Sequence, residues 1–156
     1  MLIQTKQLHA VGSHPFPHFD MIVADNSLIS YFTIEGEFTE VAIAVREKDP
    51  VWAAPLLWRS EFLNVLWLHV RQGAFGLDLA FEHIDVAEDL IADRSYEVAP
   101  TEVLRLAVES GCTAYDSQYA ALAQQLDVPL VTNDGEVLEN LPETAISPGD
   151  FLDRRD

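Results

Sequence analysis

The sequence predicts an α/β domain in which short parallel strands alternate with helices, so that one sheet is covered on both faces. Short apolar runs recur along the chain, "MIVA" from Met21, "VWAA" from Val51, "SYEVA" from Ser95 and "VPLVT" from Val128, each the length of a buried strand. Between them lie longer stretches with apolar residues three and four apart, the spacing of helices that pack on a sheet. The composition allows such a core: 49% of the 156 residues are hydrophobic, ample for one domain.

The first strand, Met21 to Ala24, ends on a bare carboxylate, Asp25, and Asn26 or Ser27 reads as the N-cap of a helix over "NSLISYFT". "EFTEVAIAVRE" has helical spacing, and "VWAA" is the second strand. Pro55 fits the first turn of a long helix, "LLWRSEFLNVLWLHVRQG", stopped by Gly73. That helix is apolar on nearly every side, which predicts burial. Another helix runs from Leu77 to Ala92, followed by the strand "SYEVA" and the helices "TEVLRLAVESG" and "AYDSQYAALAQQLD". "VPLVT" is the fourth strand and "TAIS" a fifth. Residues 1–20 break this rhythm. With His9, His14, His18, two prolines and a Gly-Ser pair they read as an extension to a domain over 21–156, with Met21 an alternative start. The three histidines raise a metal-chelating tail against the plainer reading of solvated or loosely docked residues.

Charge bounds the function. The 26 acids oppose 9 bases for a net charge of −17, and Lys6 and Lys48 are the only lysines. Such a surface repels polyanions and disfavours non-specific binding to nucleic acid, although it also keeps a protein soluble. Cys112 is the single cysteine, so no intrachain disulfide forms and a cytoplasmic, reducing compartment is expected. The apolar stretch "FLNVLWLHV" is too short for a membrane span and is broken by Asn64 and His69, and no secretory segment is seen.

Four acids occupy related positions. Asp25 closes the first strand; Asp134 follows the fourth in "TNDG"; Glu61 stands early in the long helix, and Asp116 opens the helix of "AYDSQYAALAQQL". Each has a plain alternative when taken alone. Glu61 and Asp116 can be acids favoured by a helix N-terminus, and Asp-Gly at Asp134 marks a turn. Together they say more, because in a right-handed parallel fold strand ends and the starts of the following helices share one rim of the sheet. Carboxylates brought together without a lysine or arginine raise one another's pKa, and a hard divalent cation resolves the repulsion. Mg²⁺ or Mn²⁺ takes oxygen ligands, keeps waters and suits phosphodiester hydrolysis.

The run "AYDSQYAALAQQLDVPLVTND" resembles the C-terminal signature of PIN-domain ribonucleases, especially the toxins of VapBC-type toxin–antitoxin pairs. In that family an acid follows the first strand, a glutamate sits on a mid-chain helix, Tyr-Asp opens a helix of Ala and Leu, and Thr-x-Asp follows the next strand. Asp25, Glu61, Tyr115 with Asp116, and Thr132 with Asp134 match in order, over a span from Met21 to Leu152. Asn26 departs from the small or hydroxyl residue often found there, whereas Ser27 conforms.

The resemblance implies a three-layer α/β/α domain with a parallel, mainly five-stranded sheet, cutting RNA with Mg²⁺ or Mn²⁺. Asp25, Asp116 and Asp134 would hold metal directly or through water, Glu61 would complete the cluster, and Ser27 and Thr132 would orient carboxylates or waters. Activated water would attack phosphorus in line, leaving 5′-phosphate and 3′-hydroxyl ends with no protein nucleophile. The resemblance also implies a homodimer and a small antitoxin that inserts into the acidic groove.

Rival chemistries fit less well. Phosphoryl-accepting aspartates of receiver or haloacid-dehalogenase-like folds need a lysine late in the chain, and the last here is Lys48. No glycine-rich phosphate loop follows any strand. A non-catalytic PIN-like interaction module stays open, because the charge of −17 favours it. Arg59, Arg94, Arg105, Arg154 and Arg155 are the few candidates to guide a phosphate backbone. Trp52, Trp58 and Trp67 read as core rather than base-stacking residues, and His69 and His83 as ordinary helical residues rather than an acid–base pair.

Overall fold

The computed structural model describes residues 21–155, so the expected extension over 1–20, with His9, His14 and His18, lies outside the described residues. The chain runs β1 (Ile22–Ala24), α1 (Asn26–Thr33), α2 (Thr39–Lys48), β2 (Trp52–Pro55), α3 (Leu57–Arg71) and α4 (Leu77–Ile91). It continues through β3 (Ser95–Tyr96), α5 (Pro100–Ser110), α6 (Ala114–Leu126), β4 (Leu130–Val131), α7 (Gly135–Asn140), β5 (Ala145–Ile146) and α8 (Pro148–Asp153).

All strand pairs are parallel, in the order β3-β2-β1-β4-β5. Val23 of β1 lies opposite both Ala53 of β2 and Leu130 of β4, so β1 is the central strand. Connections from β1 step outward through β2 to β3, then return across the sheet to β4 on the other side of β1. The direction of winding therefore reverses between β1 and β4, and a crevice opens there at the strands' carboxyl ends. Helices α1 to α4 pack on one face, and α6, backed by α5, covers the other. Ile22, Val23, Ala24, Trp52, Ala53 and Ala54 are completely buried, as strands covered on both faces require.

Three sequence expectations need correction. Pro55 closes β2 instead of opening the long helix. The amides of Ala54 and Leu56 bond to Arg94 and Tyr96 on the β3 side, so the proline's missing N–H falls on the opposite side, beyond the end of β1, where no ladder bond is lost. Helix α3 is buried on one face only: Trp58, Phe62 and Leu66 repeat every four residues and face inward, while Leu63 and Trp67 face solvent. Trp67 is thus a surface residue, 53% exposed with the Arg71 guanidinium over its ring, and only Trp52 and Trp58 are core. Helices α7 and α8 were not expected; each has six residues, too few for a period to show.

Lys48 secures the last of these helices. Its Nζ donates to the carbonyls of Phe151 at 2.9 Å, Leu152 at 3.3 Å and Arg154 at 2.5 Å, fastening α8 to α2. Lys48, the last lysine of the chain, is therefore committed to a helix end. Burial sets what the core tolerates. Leu122→Ala, at a fully buried position in α6, should cost ~2–5 kcal/mol in urea denaturation. Val108→Ala, at a position 75% exposed, should change stability by less than ~0.5 kcal/mol.

Candidate active site

The crevice between β1 and β4 is stitched by side chains. Asp25 is itself the N-cap of α1, in place of the expected Asn26 or Ser27: its Oδ1 accepts from the Leu28 amide at 2.8 Å. Its Oδ2 accepts from Thr132 Oγ1 at 2.5 Å, and that hydroxyl accepts from the Asp134 amide at 3.0 Å. Asp134 caps α7 in the same way, its Oδ1 accepting from the amides of Glu136 and Val137 at 3.0 and 3.1 Å. One threonine thus ties the acids that follow two neighbouring strands. An aspartate before a helix and a Thr-x-Asp after a strand satisfy orphan amides and aim carboxylates at the same rim.

The other two acids arrive on helices. Asp116 stands in the first turn of α6, its amide donating to the N-cap hydroxyl of Thr113 at 3.1 Å. Glu61, in the second turn of α3, accepts from the Tyr119 hydroxyl at 2.7 Å. Asp25, Glu61, Asp116 and Asp134 line one cleft of about 110 Å³ together with Asn26, Ser27, Tyr119 and Thr132. All six residues singled out from the sequence meet there. Tyr119 was not among them, although it lies three residues after Asp116 on the same helical face. Tyr115, its neighbour in the motif, is 63% exposed and does not line the cleft.

Among the described residues, no lysine, arginine or histidine lines this cleft. Arg59 is held by Glu88 through two bonds of 2.5 and 2.8 Å, and Arg94 donates to the carbonyls of Trp52 and Leu90. Arg105 pairs loosely with Glu102 across 3.7 Å. His69 and His83 flank the ring of Phe75, with centroid distances of 5.4 and 5.1 Å, and contribute nothing to the cleft.

The electrostatics follow from crowding. Burial pushes Asp25 up to about 6, outweighing the bonds from Thr132 and Leu28, and the charges of Asp134 and Asp116 add to the rise. Burial also raises Glu61, opposed by the Tyr119 bond and assisted by the charge of Asp116. Asp116 is raised by burial and by Asp134. Among the described residues no group of three or more His, Cys, Asp or Glu side chains is placed to hold a metal ion as it stands. The acids instead surround an open space of hard oxygen donors.

No family model matches the sequence. It is 29% identical over 125 residues to Ribonuclease VapC3 of Pyrobaculum aerophilum, across 78% of this chain and 95% of that protein. The crystal structure of PAE2754 from the same organism superposes with a TM-score of 0.66 at 31% identity, covering 85% of this chain and 93% of that one. The chain belongs to the VapC family of PIN-domain proteins. A second VapC relative, Exonuclease VapC9 of Pyrobaculum aerophilum, is 40% identical over 76 residues, which span 48% of this chain and 56% of that protein. FitAcB from Neisseria gonorrhoeae has a TM-score of 0.65 at 17% identity, over 83% of this chain and 99% of that one, and shares the PIN fold.

The raised pKa of Asp25 has a measurable consequence. Between 3.8 and about 6 the folded PIN domain binds a proton at this carboxyl that the unfolded chain has released, so folding is favoured at low pH and the advantage is lost as pH climbs through that window. In EDTA, metal-free wild type should therefore lose stability relative to Asp25→Asn, by about 2 kcal/mol in all, as pH rises from roughly 4 to 7. Thermal melts across that range check it, and identical slopes for the two proteins would contradict it.

Proposed function

We propose that the chain is a Mg²⁺- or Mn²⁺-dependent endoribonuclease and the toxin of a toxin–antitoxin pair. The observation that carries this reading is the cleft, where four carboxylates face one space with no cationic side chain lining it among the described residues. A hard divalent cation offsets their repulsion, and when bound it draws charge from a phosphate and lowers the pKa of water. Asp25, Asp116 and Asp134 would hold it directly or through its waters, and Glu61 would complete the set. The residues fit such an ion. Their donors are carboxylate oxygens, the buried Oδ1 of Asn26 has no hydrogen-bond partner, and the open cleft leaves room for the waters that Mg²⁺ retains.

The chain's own residues supply the rest. Thr132 fixes Asp25 against Asp134, and Ser27 sits where the first amides of α1 begin. Asp25, Asp116 and Asp134 stand at or within the first turn of helices, whose positive ends attract the phosphate as well as the carboxylates. Water is the nucleophile, so the products carry 5′-phosphate and 3′-hydroxyl ends. The relatives Ribonuclease VapC3 and Exonuclease VapC9 support a nuclease and differ on where it cuts.

The reading extends to a cytoplasmic homodimer neutralised by a small antitoxin. Leu104 and Val108 on α5, with Leu63 and Trp67 on α3, offer apolar surface for partners, and among the described residues no helix is long and apolar enough to cross a membrane. The net charge of −17 favours the second reading, a PIN-like interaction module that cuts nothing. A circular RNA separates all the possibilities. With Mn²⁺ the purified chain should linearise it and leave 5′-phosphate ends, EDTA should stop the reaction, and Asp25→Asn or Asp116→Asn should slow it by more than ~100-fold, the upper cost of losing even an outer-sphere partner. Cutting of linear RNA alone would mark an exonuclease. Intact circular and linear RNA under all conditions would favour the module.

A further inference from the structure

Helix α6 brings two polar groups to the cleft, and only one is an acid. Asp116 and Tyr119 are three residues apart and share a face, and both line the cleft. Tyr119 is 3% exposed, packed into the core, and its hydroxyl donates to Glu61 Oε1 at 2.7 Å. Because α6 and α3 cover opposite faces of the sheet, this bond joins the two helical layers across the rim. Glu61 is the longest of the four acids and, unlike Asp25 and Asp134, whose carboxylates accept from backbone amides, it is held through the Tyr119 hydroxyl, without which its carboxylate would rotate freely.

Resting on the metal-dependent reading above, we infer that Tyr119 is a positioning residue: it fixes Glu61 so that one carboxylate oxygen is committed to the phenol and the other is presented to a divalent cation. A phenol suits this task better than a cation. It donates a hydrogen bond without neutralising the charge that attracts the metal, and burial together with the acids around it keeps it protonated. Its place in the core fixes the ring, so the hydroxyl position is set by packing rather than by the cleft itself. Outer partners that orient a ligand in this way are worth 10- to 100-fold in metal affinity, as an order of magnitude.

Calorimetric titration of Mn²⁺ into metal-free wild type, Tyr119→Phe, Glu61→Gln and the double variant tests the inference without any substrate. Tyr119→Phe should weaken Mn²⁺ binding by about tenfold, and Glu61→Gln by at least as much. The double variant should bind no more weakly than Glu61→Gln alone, since the hydroxyl then has nothing to position. Wild-type affinity in Tyr119→Phe would overturn the inference. Losses that simply add in the double variant would also overturn it, because they would mark a packing role independent of Glu61. A wild type that binds no Mn²⁺ would overturn the metal-dependent reading itself and this inference with it.

Discussion

Like charges must be forced together, and in this chain the force is parallel strand pairing. Because β1 pairs in parallel with both β2 and β4, the strand ends and the helix starts that follow them fall on one rim, whatever their charge. The cost of burying Asp25, to which the charges of Asp134 and Asp116 add, is small on the scale of the core that opposes it. Each large buried side chain such as Trp52, Phe62 or Leu122 contributes ~1.5–3 kcal/mol, so one or two of them offset the rise in the pKa of Asp25. The Thr132 hydroxyl then does locally what the sheet does globally, holding the acid after β1 to the turn after β4.

The acidity of the chain and an affinity for RNA are reconciled by where the positive charge comes from. Arg59 is neutralised by Glu88, Arg94 donates to the carbonyls of Trp52 in β2 and Leu90 in α4, and Lys48 closes α8, so these cations are committed to structure. What remains at the cleft are the positive ends of α1, α6 and α7 and, on the proposed metal-dependent reading, a divalent ion that the acids would take up. On that reading a phosphate would be attracted by the charge that the cluster acquires, while the negative surface elsewhere discourages non-specific contact with nucleic acid.

Much of this was legible in the sequence, for identifiable reasons. Asp25 and Asp134 could be placed because short apolar strands end abruptly and the next residues start helices; the same alternation gave the parallel sheet. Asp116 could be placed at the start of a helix, and Thr132 came only from the resemblance to PIN-domain ribonucleases. Tyr119 was hidden because a tyrosine among alanines and leucines reads as core, which it also is, and its partner lies 58 residues away on another helix. Trp67 was misplaced because apolar residues crowd α3 on all sides, and only the packing of α1, α4 and the sheet decides which face is covered. Pro55 was misassigned because its effect depends on which neighbour its missing N–H would have met, a property of strand order rather than of local sequence.

The central claim, that Asp25, Glu61, Asp116 and Asp134 act as one cluster, is tested most directly by thermal melts of wild type and Asp116→Asn, each in EDTA and in Mn²⁺. A shared cluster predicts that the substitution raises the melting temperature in EDTA, by relieving repulsion. It also predicts that Mn²⁺ stabilises wild type by about 2.7 kcal/mol at a hundredfold excess over its Kd and the variant by much less. Equal melting temperatures in EDTA and parallel responses to Mn²⁺ would contradict it.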